Sequence, residues 1–243
     1  MSRLIHIKEK TDDQLTQQEC RKDFFNSILC ALLLFACVVM LLSLIPRQAK
    51  AELTGDSLVL AQQWARIQYQ MPEKDKEKAL ERLIDTAQMA LEKAPKAPDL
   101  LIWNGIIASV YAGEVGGLTA LKTVSDAKAY FERSLQVDPK ALDGSAYTSL
   151  ATLYYKVPSW PLSFGDSDKA KQLFKKALEI NPDGMDSNFL YAQYLVEEEG
   201  RSSYPQAIQL LEKAQRAPAR PDRPLADQGR QSEIQVLLNS LVE

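Results

Sequence analysis

Residues 170–186 read AKQLFKKALEINPDGMD, and residues 127–143 read AKAYFERSLQVDPKALD. Both stretches carry a small residue, an aromatic four places on, a small residue three places further, and a proline five beyond that. The positions are Ala170, Phe174, Ala177 and Pro182 in one copy and Ala127, Phe131, Ser134 and Pro139 in the other. Residues at i, i+4 and i+7 stack on one face of an α-helix. Small side chains on that face let a second helix approach closely, and the proline stops the helix just past its end. Ala207, Leu211 and Ala214 repeat the spacing, with Pro218 one residue early, and Leu83, Ala87, Ala90 and Pro95 form a further copy.

Each proline is followed four residues later by an aspartate: Asp99, Asp143, Asp186 and Asp222. Aspartate there is suited to cap the next helix, its carboxylate accepting from free backbone N–H groups. The unit is therefore helix, proline stop, short turn, helix start, and it recurs along the chain.

This pattern resembles the tetratricopeptide repeat. The small–aromatic–small–proline signature of that family's second helix matches in the two quoted stretches. Gly105 stands where the family's first helix has its glycine, and Ala151 and Ala192 stand in for it later. The likeness covers residues 57–218 and implies an all-α, TPR-like α-solenoid of about four helix pairs with a C-terminal capping helix. The family period is about 34 residues, whereas the prolines here are 44, 43 and 36 apart. The extra residues are expected between the two helices of a unit, around Gly113–Gly117 and around Pro158–Asp166. Such inserts are similar to those of bacterial envelope repeat proteins, including the T component of TRAP transporters.

Working outward, helices are expected over 56–70, 75–94, 99–112, 122–137, 142–156, 167–180, 185–199, 204–216 and 224–241. Sparse glycine and an abundance of Ala, Leu, Glu, Lys and Gln support an all-α class. The last segment places Leu225, Ile234, Leu237, Leu238 and Leu241 on one face, as the closing helix of a repeat array requires.

Upstream, residues 24–45 read FFNSILCALLLFACVVMLLSLI without a charge. As a helix this segment would cover about 33 Å, enough to cross a bilayer core of about 30 Å. Arg3, Lys8, Lys10, Arg21 and Lys22 precede it, and only Arg47 and Lys50 follow closely. That asymmetry puts residues 1–23 in the cytoplasm as a tail. The body, residues 57–243, then lies in the periplasm of a Gram-negative cell, joined by a linker over 46–56. Two readings of the segment stand: an uncleaved single-pass inner-membrane anchor, or a signal peptide cleaved after Ala51 to leave a soluble periplasmic protein. Cys37 follows Leu34-Phe35-Ala36, a poor lipidation site because Phe35 is bulky, and is read as a cysteine within the apolar segment.

Composition excludes several activities for the body. Cys20, Cys30, Cys37 and His6 all precede residue 40, so residues 52–243 offer no thiol nucleophile, no histidine base and no His/Cys metal site. The same residues hold 22 Lys and Arg against 27 Asp and Glu, which gives no electrostatic footing for nucleic acid. No catalytic residue, metal ligand or cofactor is expected.

The candidate partner-binding residues fall in three groups. Trp160 and Phe164 lie in the insert WPLSFGD, which either folds back over the helix layer or forms a binding lip. Arg220 and Arg223, with Arg216 and Arg230, make an arginine-rich stretch that either grips an anion or is neutralised by the interleaved Asp222 and Asp227. Tyr147, Tyr154, Asn188 and Tyr191, with Tyr194, fall on first helices, which in the resembled family line the concave, partner-binding face; the alternative is that half of them pack between helices.

The expected function is a non-enzymatic scaffold of the bacterial envelope that binds another envelope protein or a peptide, and that admits a homo-oligomer. A TRAP-type transport component is the alternative. A carboxylate-only hydrolase is a further one, with Asp166, Asp183 and Asp186 as its candidate cluster.

Overall fold

The computed structural model describes residues 55–242, and they are all-α. The hydrophobic segment 24–45, the cleavage position after Ala51 and nearly all of the linker lie outside the described residues. Among the described residues, no helix is long and apolar enough to cross a membrane.

The helices are α1 (Gly55–Gln70), α2 (Glu73–Lys93), α3 (Pro98–Val115), α4 (Gly117–Val137), α5 (Ala141–Lys156), α6 (Ser167–Ile180), α7 (Met185–Tyr194), α8 (Tyr204–Gln215) and α9 (Pro224–Val242). Each packs on the next in sequence. In addition α1 touches α3, α3 touches α5 and α5 touches α7, so the odd-numbered helices form a layer of their own.

The repeated spacing marks the most deeply buried side chains. Ala127, Phe131 and Ser134 are fully buried, as are Ala170, Phe174 and Ala177, and Ala207, Leu211 and Ala214. Leu83, Ala87 and Ala90 are nearly so. The phenylalanine fits because its neighbour is small. A methyl group on Gly105 would stand 2.5 Å from the Phe131 ring, closer than packed carbons tolerate. Ala151 and Ala192, at the corresponding places of α5 and α7, are also fully buried.

Two expectations change. The break foreseen over 113–121 shrinks to Gly116, whose φ of 62° turns the chain between α3 and α4. Gly117 shares the turn with a φ of 60°, and Leu118, Ala120 and Leu121 beyond it favour helix, so the insert lengthens both helices instead of forming a loop. Asp99, Asp143 and Asp186 are not the caps of the helices they begin. Ala97 and Gly184 precede α3 and α7, and Asp99 and Asp186 lie inside the first turn, where the helix dipole still favours them. Asp143 lies within a left-handed first turn of α5, Leu142–Gly144, with φ of 56°.

Helix α7 runs on through a π-helical turn at Leu195–Glu199 and a 3₁₀ turn at Gly200–Ser203 into α8. Helix α9 does more than cover the last pair. It packs on α8 and α7 and also reaches α1, so the first and last helices of the described residues meet. Ile234 is fully buried there, with Leu237, Leu238 and Leu241 packed on the same core.

Candidate functional site

The connection between α5 and α6 is an ordered loop that displays an aromatic side chain. Backbone bonds tie it to the end of α5: Asp166 donates to the Tyr154 carbonyl at 2.8 Å and Gly165 to that of Pro158 at 3.0 Å. A Cβ at Gly165 would fall 2.0 Å from the Val157 carbonyl oxygen, so only glycine permits this closure. Asp166 then caps α6, accepting from the Lys169 backbone N–H at 2.9 Å.

Within this frame Phe164 folds back. Its ring meets that of Tyr154 edge-on at 5.5 Å, and the Lys128 ammonium stands 5.2 Å from its centroid. Trp160 does the opposite and is 86% exposed, with Leu162 at 71%. The two aromatics of one insert therefore have different duties: Phe164 anchors the loop and Trp160 faces solvent.

The tyrosine group is mostly internal. Tyr154 and Tyr191 are 4% and 3% exposed, and Asn188 is completely buried. Tyr191 stacks on Phe174 at 5.3 Å, with Tyr194 beside both. The Asn188 amide donates to the carbonyls of Pro182 and Gly184 at 2.9 and 2.8 Å, fastening the turn before α7. Of the two readings of this group, packing between helices is the one these three residues follow, and they present almost no surface. Tyr147 is half-buried, with the Lys176 ammonium 5.9 Å from its ring.

Arg220, Arg223 and Arg230 are largely buried, whereas Arg216 is exposed. Arg220 donates from Nε to Asp227 and from a terminal nitrogen to Asp186, each at 2.5 Å. Arg230 donates to Asp186 at 2.8 Å and to Glu233 at 2.5 Å, and its guanidinium lies 4.6 Å from the Phe189 ring centroid. Arg223 stands 3.8 Å from Asp222, and among the described residues its buried Nε has no hydrogen-bond partner. Burial and the adjacent Arg220 charge hold Arg223 below the usual guanidinium range. Burial opposes ionisation of Asp186, yet the Arg220 and Arg230 guanidiniums outweigh it and hold its carboxyl well below the usual range. Tyr69 of α1 borders this cluster, and burial pushes its hydroxyl up to about 12. A Cβ at Gly229 would fall 2.4 Å from the Tyr69 ring, so the glycine lets α9 seat against α1.

The three carboxylates weighed for hydrolysis each have structural contacts. Asp166 caps α6, Asp183 pairs with Lys213 at 3.2 Å, and Asp186 holds two arginines. Among the described residues no group of His, Cys, Asp and Glu is arranged to hold a metal ion.

No known family model matches the chain, and no curated protein matches it in sequence.

The signal for the arginine cluster was present in the sequence as interleaved charge, but its central partner, Asp186, lies 34 residues before Arg220. The display of Trp160 had no sequence signal beyond the insert itself.

Proposed function

We propose that this protein is a non-enzymatic interaction scaffold of the bacterial envelope: a TPR-like helical-repeat body, carried to the periplasmic side by residues 24–45, that binds another envelope protein or a peptide. The observation that carries this reading is the α5–α6 loop, which is fastened at both ends and by Phe164 yet leaves Trp160 86% exposed. Removing a tryptophan from water is strongly favourable, and interface hot spots are enriched in tryptophan held on a rigid support. A loop ordered in advance also loses little conformational freedom on binding.

The test is site-specific photo-crosslinking in intact cells of the source bacterium. A photoreactive phenylalanine analogue at position 160 is expected to capture a defined partner, while the same analogue at Met89, exposed on α2, is not. Equal labelling from both positions, or none from 160, would count against the reading.

A further inference from the structure

At the turn between α1 and α2 lies a groove of about 610 Å³ whose walls carry Arg66, Lys74, Lys78 and Arg82, with Asp75 the one carboxylate among its lining residues. Lys74, Lys78 and Arg82 recur every four residues on α2, so they stack along one face, and Arg66 meets them from α1. Met71 contributes an apolar wall.

What sets this groove apart is that its cations converge on one concavity. Elsewhere Lys76, Lys128, Lys156, Lys171, Lys213 and Arg220 each have a carboxylate partner. Among the described residues, none of the four groove cations forms an ion pair. Of the acids at the start of α2, Asp75 lines the groove, while Glu73 holds Lys76 at 2.8 Å. A chain of formal charge −3 thus gathers four cations against one carboxylate around one concavity. Like charges brought together repel, and a bound anion relieves that repulsion while accepting hydrogen bonds from the two guanidiniums.

We infer that this groove is an anion site for a phosphate-bearing group, contributed by a phosphorylated solute or by the headgroup of an anionic lipid. It is separate from the Trp160 loop and does not depend on what that loop binds.

The experiment uses the full chain in nanodiscs and reads the acetylation rate of individual lysines by mass spectrometry. In phosphatidylcholine discs, saturating pyrophosphate should slow modification of Lys74 and Lys78 about tenfold relative to Lys93 and Lys96. That result identifies a free phosphorylated ligand. Protection that appears without pyrophosphate, when the discs contain phosphatidylglycerol, identifies the lipid headgroup. In either case the Arg66→Gln/Arg82→Gln variant should lose the protection while keeping its helical circular dichroism. The inference is overturned if neither probe slows Lys74 and Lys78, or if protection survives in that variant. Calorimetric titration of a Lys74→Gln/Lys78→Gln variant with pyrophosphate provides an independent check, and unchanged affinity there would also overturn it.

Discussion

Arg230 on α9 donates to Asp186 on α7 at 2.8 Å across 44 residues of sequence, and Arg220 grips the second oxygen of the same carboxylate at 2.5 Å. One aspartate thus fastens both the connection before α9 and the helix itself. Replacing Asp186 by Asn leaves two guanidiniums close together with only Asp227 and Glu233 to balance them. We expect a loss of about 2 kcal/mol in urea unfolding, less than for a fully enclosed pair because the Asp186 side chain is 36% exposed. Glu233→Gln should cost much less. If the two variants lose equal stability, the apolar contacts of Ile234 hold α9 and the ion pairs do not.

The same pair makes stability depend on pH in a defined direction. The folded Asp186 carboxyl titrates well below its ordinary value of 3.8, because the two arginines outweigh burial. The unfolded chain therefore takes up this proton first as pH falls. The contribution is complete well above 3.8, declines below it, and is gone once the folded carboxyl is also protonated. The stability gap between the parent and Asp186→Asn should stay constant from about pH 7 to pH 5 and narrow below about pH 4. A gap that widens on acidification would contradict this account.

The packing of Phe131 and Phe174 should be unforgiving. Gly105→Ala drives a methyl group into the Phe131 ring and is expected to cost about 2 kcal/mol. Phe174→Ala empties the space among Tyr155, Tyr191 and Tyr194 and is expected to cost about 4 kcal/mol. Thermal unfolding followed by circular dichroism measures both, and a near-neutral Phe174→Ala would mean that the aromatic cluster collapses into the gap.

Trp160 and Phe164 should separate function from stability. Trp160→Ala removes an exposed side chain, so its stability should lie within about 0.5 kcal/mol of the parent while partner capture is lost. Phe164→Ala removes the ring packed on Tyr154 and should speed hydrogen exchange at Gly165 and Asp166, whose N–H groups close the loop. If Phe164→Ala leaves exchange there unchanged, the backbone bonds alone hold the loop.

The sequence by itself determined the all-helical class, where most of the helices run and which side chains of the repeated spacing face inward. Ala127, Phe131 and Ser134 and their counterparts at 170, 174 and 177 could be read as inward-facing because helical periodicity relates residues within two turns of each other. Only the tertiary structure decided which side chains were left for a partner. A single helix does not say whether Tyr154, Asn188 and Tyr191 are packed or available, and neighbouring helices cover all three. The sequence left Arg220 and Arg230 open between an anion grip and neutralisation by nearby aspartates, and the structure pairs Arg220 with Asp227 and both arginines with the distant Asp186. Trp160 and Phe164, four residues apart in one loop, parted company because Tyr154 offers a surface to one ring and none to the other. Burial and charge pairing depend on contacts between distant segments, and a local pattern does not encode them.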